Sequence, residues 1–149
     1  MEWYKKVLSQ YSDFDGRARR QEYWMFTLFN ILITFGIMVV IGGLAMITSS
    51  QTLLYLAVGV VAIYGLAVMV PNLAVTSRRL HDTGRSGWWQ LLNLLGIIPF
   101  IGWIGSIVVI VFCALEGNPG PNQYGPDPKA LPDAGLGHGY PAPGMPSQV

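Results

Sequence analysis

The strongest constraint on this chain is where charge is missing. From Tyr23 to Ser77 no residue is charged, and from Ser86 to Leu115 none is charged. In a chain of 149 residues, too little sequence remains to bury both stretches away from water. Charged residues make up 11% of the whole, against roughly a quarter in soluble domains. Lipid solvates such runs directly, so the chain reads as an all-α integral membrane protein whose first partner is the bilayer. The net charge of +1 provides no overall basic field, and no nucleic-acid partner is expected.

Three segments are expected to span, at about 26–47, 53–75 and 88–115. The first is roughly 33 Å of helix, against roughly 30 Å of hydrocarbon. It follows about 25 polar and aromatic residues and is too long for a signal core, so it is expected to be retained. A short polar turn, 48–52, joins it to the second segment. Pro71, one turn before that segment's end, leaves the Ala67 carbonyl without its helical donor, and a kink is expected there. The third segment is too long for one straight crossing and too short for two, which need roughly 40 residues. One tilted span kinked near Pro99 is the preferred reading. A re-entrant hairpin turning at Ile98-Pro99-Phe100 is the alternative, favoured by Trp103, which a single span would place deep in the bilayer.

Ahead of the spans, Trp3, Tyr4, Val7, Leu8 and Tyr11 recur at helical spacing. They predict a short amphipathic helix over 2–12, lying in the membrane interface or packed on the protein. Asp15 is expected to cap the following helix, with Gly16 permitting the entry. Residues 1–116 form the membrane domain. After Glu116 the composition changes, with eight of the ten prolines beyond it, and 117–149 is expected to be a largely disordered tail.

Charge placement sets the orientation. Lys5, Lys6, Arg17, Arg19 and Arg20 precede span one, and Arg78, Arg79 and Arg85 follow span two. The turn between the two spans carries no charge. The positive-inside rule then places the N-terminus and the 78–87 loop in the cytoplasm. A single third span puts the tail outside, and a hairpin returns it to the cytoplasm.

Two groups of residues are candidates for function. The short first turn makes spans one and two antiparallel neighbours, which brings Arg17, Arg19, Arg20 and Glu22 to the same face as Arg78, Arg79, His81, Asp82 and Arg85. This Arg-rich collar calls for anions, from lipid phosphates or from an acidic partner. It also satisfies plain topological anchoring with snorkelling side chains. The second group is Asn30, Asn72 and Asn93, each roughly 6 Å below the collar face. Buried amides in lipid seek partners, so they are expected to face the bundle interior, as helix–helix glue or as a polar pocket.

Other signals are weaker. His81-Asp82 has no third ligand nearby, since His138 lies in the tail, so neither a metal nor a cofactor is expected. Asp82-Thr83-Gly84 matches an aspartic-protease triplet that has no second copy here. The lone Cys113 reads as a small buried residue. No span carries an ionisable residue at its middle, which argues against a conventional transporter.

The runs MEWYKKVLSQYSDFDGRARRQEYW, RRLHDTGRSGWWQLL and GNPGPNQYGPDP resemble family 805 of the domains of unknown function. The likeness covers about residues 1 to 128, in order. It implies a small multi-pass protein of the bacterial inner membrane. The family brings no established activity and therefore no catalytic residues to carry over. Its pattern often has Arg where this chain has Gln123. Together these features lead to the expectation of a non-enzymatic membrane binding or scaffold module, with a membrane-protein partner or a homo-oligomer. The alternatives are a small-solute permease or channel component completed by oligomerisation, and, third, a lipid-headgroup enzyme resting on His81 and Asp82.

Overall fold

The computed structural model describes residues 2–97 and 101–129. Among them the regular structure is helical, with no β-strand. Helix α1 is Glu2–Ser9. Helix α2, Arg20–Ile47, contains a π-helical turn at Met38–Gly42. Helix α3 is Gln51–Asp82. A 3-10 helix, Gly87–Ile97, and helix α4, Ile101–Ala114, complete the set.

Helices α2 and α3 form the long antiparallel pair that the charge-free runs anticipate. Residues 48–50 turn the chain between them. Ser50 N–H reaches the Ala45 carbonyl at 2.9 Å, and the Ser50 hydroxyl caps α3 by accepting from Leu53 N–H at 3.4 Å. In the most apolar stretches of α2 and α3, only 11% and 6% of residues are buried. The core helix of a soluble protein would be mostly covered. These helices instead show Phe35, Ile47, Tyr55 and Ile63 to the outside, a surface that only hydrocarbon or another span satisfies.

The packed core lies at one end of this pair. Val7 of α1, Tyr23 and Phe26 of α2, Val75 of α3, and Val109 and Cys113 of α4 form a single buried cluster. Helix α1 therefore packs on the protein: Tyr4 stacks on Phe26 at 5.3 Å while Leu8 and Tyr11 stay exposed. It ends at Ser9, short of the expected residue 12.

Two helix boundaries differ from expectation. Helix α3 runs through Pro71 to Asp82, so Arg78, Arg79, His81 and Asp82 are helical, whereas a loop was expected from residue 78. A Schellman turn ends the helix. Arg85 N–H bonds the Leu80 carbonyl at 3.0 Å and Gly84 N–H bonds that of His81 at 2.9 Å, with Gly84 at φ +73°. Asp15 does not cap α2. Arg19 holds that position in extended backbone without a side-chain bond, and Asp15 N–H bonds the Asp13 carboxylate at 3.1 Å instead.

Segment three doubles back. Trp89, near its start, meets Phe112, near its end, edge to face at 5.4 Å. A Cβ on Gly105 would lie 2.5 Å from the Leu92 carbonyl oxygen, so the two arms touch backbone to backbone. The preferred reading of one kinked crossing is thus replaced by the hairpin, although the expected turn and the Pro99 kink fall outside the described residues. At about 2.0 Å per residue the 3-10 arm is roughly 22 Å long, and α4 is roughly 21 Å. Both fall short of roughly 30 Å of hydrocarbon.

Candidate functional site

Asp82 ends α3 and holds two arginines. Arg17 meets its Oδ1 through Nε at 3.0 Å and Nη2 at 2.9 Å. Arg79, one turn back on α3, meets Oδ2 through Nη1. The three side chains are 3% or less exposed. Burying charge this way is affordable only when the remaining donors find acceptors, and they do. Arg79 donates to the carbonyls of Cys113 (2.9 Å) and Leu115, closing the C-terminus of α4. Arg17 donates to the carbonyls of Gly120 (2.6 Å) and Asn118 (2.5 Å).

A second group lies beside α1. Lys6 Nζ meets Glu22 Oε1 at 2.5 Å, and Arg78 donates from Nη1 to Gln10 Oε1. Glu22 Oε2 and Arg78 Nε and Nη2 are buried without hydrogen-bond partners. Arg19 donates to the Pro128 carbonyl at 2.7 Å, Arg85 lies over the Phe112 ring at 4.1 Å, and Arg20 is exposed. These groups lie together at one end, with Arg17, Arg78 and Arg79 turned inward and Arg20 outward. Arg78 and Arg79 are 2% and 0% exposed and do not face solvent.

The chain after Glu116 supplies the acceptors that sequence reasoning missed. Asn118 N–H bonds the Asp82 carbonyl at 2.8 Å, Asn122 Nδ2 bonds that of His81 at 2.9 Å, and Tyr124 stacks flat on His81 at 3.9 Å. Gly117 lies so close that a Cβ there would sit 2.0 Å from Asp82 Oδ2. Residues 117–129 are therefore a strap across the collar, the ordered part of a segment expected to be largely disordered, at least beyond Lys129. Residues 130–149 lie outside the described residues. The available signal was the GNPGPNQYGPDP run, whose closely spaced Gly, Pro and Asn fix a turn-rich path. At its end Asp127 accepts from the Gly120 amide (3.0 Å) and the Lys129 amide (2.8 Å). The Lys129 amide is the main cause holding its carboxyl below the usual range.

The asparagines separate. Asn30 and Asn72 share a groove of about 510 Å³ between α2 and α3 with Thr27, Thr34, Phe35 and Met38. Asn30 donates to the Phe26 carbonyl at 2.8 Å and accepts from the Tyr64 hydroxyl. Asn72 is exposed, and its amide has no hydrogen-bond partner among the described residues. Asn93 is exposed on the 3-10 helix and does not line the groove. The expected cluster of three inward-facing amides is therefore two amides in an open groove and one apart.

A further cavity of about 460 Å³ lies where α3, the 3-10 helix and the strap meet, with His81, Asp15 and Gln90 in its wall.

A protein-family model described as "Protein of unknown function (DUF805)" matches residues 11–126. The chain belongs to this family. The DUF805 match runs from Tyr11 past Arg17, Arg79 and Asp82 into the strap, so it takes in the Asp82 hub of the collar. Two curated Escherichia coli K12 relatives are named inner membrane proteins. YhaH is 50% identical over 89% of this chain and 100% of its own length. YhaI is 46% identical over 87% of this chain and 97% of its own length. A third, the uncharacterized protein YiiR of the same strain, is 27% identical over 76% of this chain and 84% of its own. No solved structure matches. With its two long apolar helices, this DUF805 chain is a membrane protein.

Proposed function

We propose that this chain is a non-enzymatic binding or scaffold module of the bacterial inner membrane. Its collar lies in the cytoplasm and its outward cations meet anionic headgroups. The names of the two relatives support the compartment, and the clustering of cations at one end supports the orientation. The observation that carries the reading is the division of labour within the collar. Arg17, Arg78 and Arg79 are engaged or buried inside, building a rigid platform. Lys5 and Arg20 stand exposed on it, with no hydrogen-bond partner among the described residues, beside exposed Trp24. Near a membrane surface such a cation contributes about 1 kcal/mol towards anionic lipid. Both Asp82 oxygens are occupied by arginines, which favours a structural carboxylate over an acid–base one. The test is the double variant Lys5→Gln, Arg20→Gln. Mass spectrometry of the detergent-extracted protein should find retained anionic phospholipid down by about tenfold or more at unchanged insertion. Equal retention overturns the reading.

A second reading comes from the groove. An exposed Asn72 amide on a lipid-facing helix favours association with another span. A second copy of this chain, meeting groove to groove, would enclose a polar path for a small solute. Flux in proteoliposomes that is lost in Asn72→Leu supports that reading, and an impermeable monomer contradicts it.

A further inference from the structure

Measured from one buried layer, the helices reach unequal depths. Phe26, Val75 and Cys113 belong to the same cluster. From Phe26, α2 continues to Ile47, roughly 32 Å of helix. From Val75, α3 extends back to Gln51, roughly 36 Å. From Cys113, α4 extends back only to Ile101, roughly 18 Å. The other arm of the hairpin leaves Trp89, which meets Phe112, and runs to Ile97, roughly 16 Å at the 3-10 rise. Both arms stop near the middle of roughly 30 Å of hydrocarbon. They lie in lipid, since no residue from Ser86 to Leu115 is charged and Trp103, Ile104 and Ile107 at the deep end of α4 are more than half exposed. Exposed Trp24, Trp88 and Trp89 stand at the collar end, where such rings meet the headgroups. Among the described residues, four elements therefore fill the half of the membrane next to the collar, and two fill the other half.

The chain is thus tapered, and a flat bilayer fits a tapered inclusion poorly. A helix with its side chains is about 10 Å across, so the two arms occupy roughly 160 Å² of the collar-side leaflet. Tails of the opposite leaflet must splay to fill the space beneath the hairpin. Bending the membrane so that the collar-side leaflet is convex gives that leaflet the extra area and lets the opposite tails straighten. The reverse bend crowds the wide end. Helix α1, packed through Tyr4 on Phe26, adds width on the same side, so among the described residues no element offsets the taper.

We propose that this half-membrane hairpin beside two full spans makes the chain curvature-selective, its preferred partner being a bilayer whose collar-side leaflet is convex. The selection goes beyond the binding module proposed above, because shape drives it and no particular headgroup is needed. With the collar in the cytoplasm, as in that reading, the preferred place is inner membrane that bulges towards the cytoplasm. The single chain carries the preference. A second copy lying along the far halves of α2 and α3 would fill the taper and remove it.

The full chain carrying Cys113→Ala and Lys5→Cys is labelled at position 5, which is exposed, with a fluorescent maleimide. It is reconstituted at low density into phosphatidylcholine vesicles of mixed diameter. Copies per unit of membrane area are counted vesicle by vesicle, and an impermeant quencher added outside removes the signal of collar-outward copies. Collar-outward copies are expected to be about twofold or more denser on the smallest vesicles than on the largest, and collar-inward copies to show the reverse. An artefact of reconstitution moves both orientations the same way, so a shared trend, or no trend, overturns the proposal. Two-step photobleaching with a flat profile overturns it in favour of a second copy along the far halves. Phosphatidylcholine has no net charge, so this result stands apart from the anionic-headgroup reading, which fails or holds on lipid retention in Lys5→Gln, Arg20→Gln.

Discussion

The Tyr11 hydroxyl donates to the Ala67 carbonyl at 2.6 Å. Ala67 is four residues before Pro71, and proline has no N–H to offer it. The N-terminal segment thus supplies the donor that α3 lacks, and it does so from 56 positions away in sequence. Tyr11→Phe should destabilise the protein by about 1–2 kcal/mol. In a Pro71→Ala background the helix recovers its own amide, and the same substitution should cost much less. A double-mutant cycle on thermal unfolding in detergent checks this. Equal cost in both backgrounds would mean the bond does not answer the proline.

Asp82 is the hub of the collar, and breaking it should be severe. Asp82→Asn leaves Arg17 and Arg79 buried against a neutral amide, at a cost of about 3–5 kcal/mol. Gly117→Ala should act on the same network without removing a charge, since its new Cβ would sit 2.0 Å from Asp82 Oδ2. The strap must then lift or the carboxylate must turn. Hydrogen exchange at 117–125 should rise in both variants while exchange at the centre of α2 is unchanged.

The strap should loosen in acid. Backbone amides hold the Asp127 carboxyl below the ordinary aspartate range. A group whose folded value is depressed contributes its stability above the unfolded value and loses it as pH falls through the folded one. Exchange at Gly120 and Lys129 amides should therefore be slow at neutral pH and accelerate, beyond the intrinsic trend, only below about pH 3.9. Asp127→Asn should abolish that transition. Exposed Lys129–Glu116, at 2.8 Å, should add little and fade with salt.

The hairpin of segment three is open to a direct test. In a Cys113→Ala background, Trp89→Cys with Phe112→Cys should form an intramolecular disulfide under mild oxidation. One straight crossing would hold those positions roughly 35 Å apart, beyond any disulfide. Gly105→Leu should suppress the crosslink, because its side chain forces the arms apart at the Leu92 carbonyl.

Much of this architecture was legible in the residues. Charge-free runs located the two long helices, and the uncharged 48–52 turn required them to be antiparallel, which brought Arg17 and Arg78 to one end. What was missed has physical causes. Arg78 and Arg79 were read as loop because the apolar pattern stops at Val75. That limit marks the edge of the lipid, whereas Gly84 marks the end of the helix. The strap has no periodicity, since its docking runs through backbone carbonyls of Asn118 and Gly120 and through the ring of Tyr124. Segment three was ambiguous in length alone, and the contacts of Trp89 with Phe112 and of Gly105 with Leu92 decide it. Asn72 was expected to turn inward to find a partner, but it faces the open groove between α2 and α3, and the third amide, Asn93, lies on the 3-10 helix away from that groove.

The central claim is that α1 and the strap meet at the collar, on one side of the membrane. In sealed vesicles of defined orientation carrying the Cys113→Ala chain, Lys5→Cys and Gln123→Cys are labelled with a membrane-impermeant maleimide. Both cysteines should react from the cytoplasmic face and be protected from the other. Reaction of Gln123→Cys from the opposite face to Lys5→Cys would contradict the collar, the strap and the hairpin together.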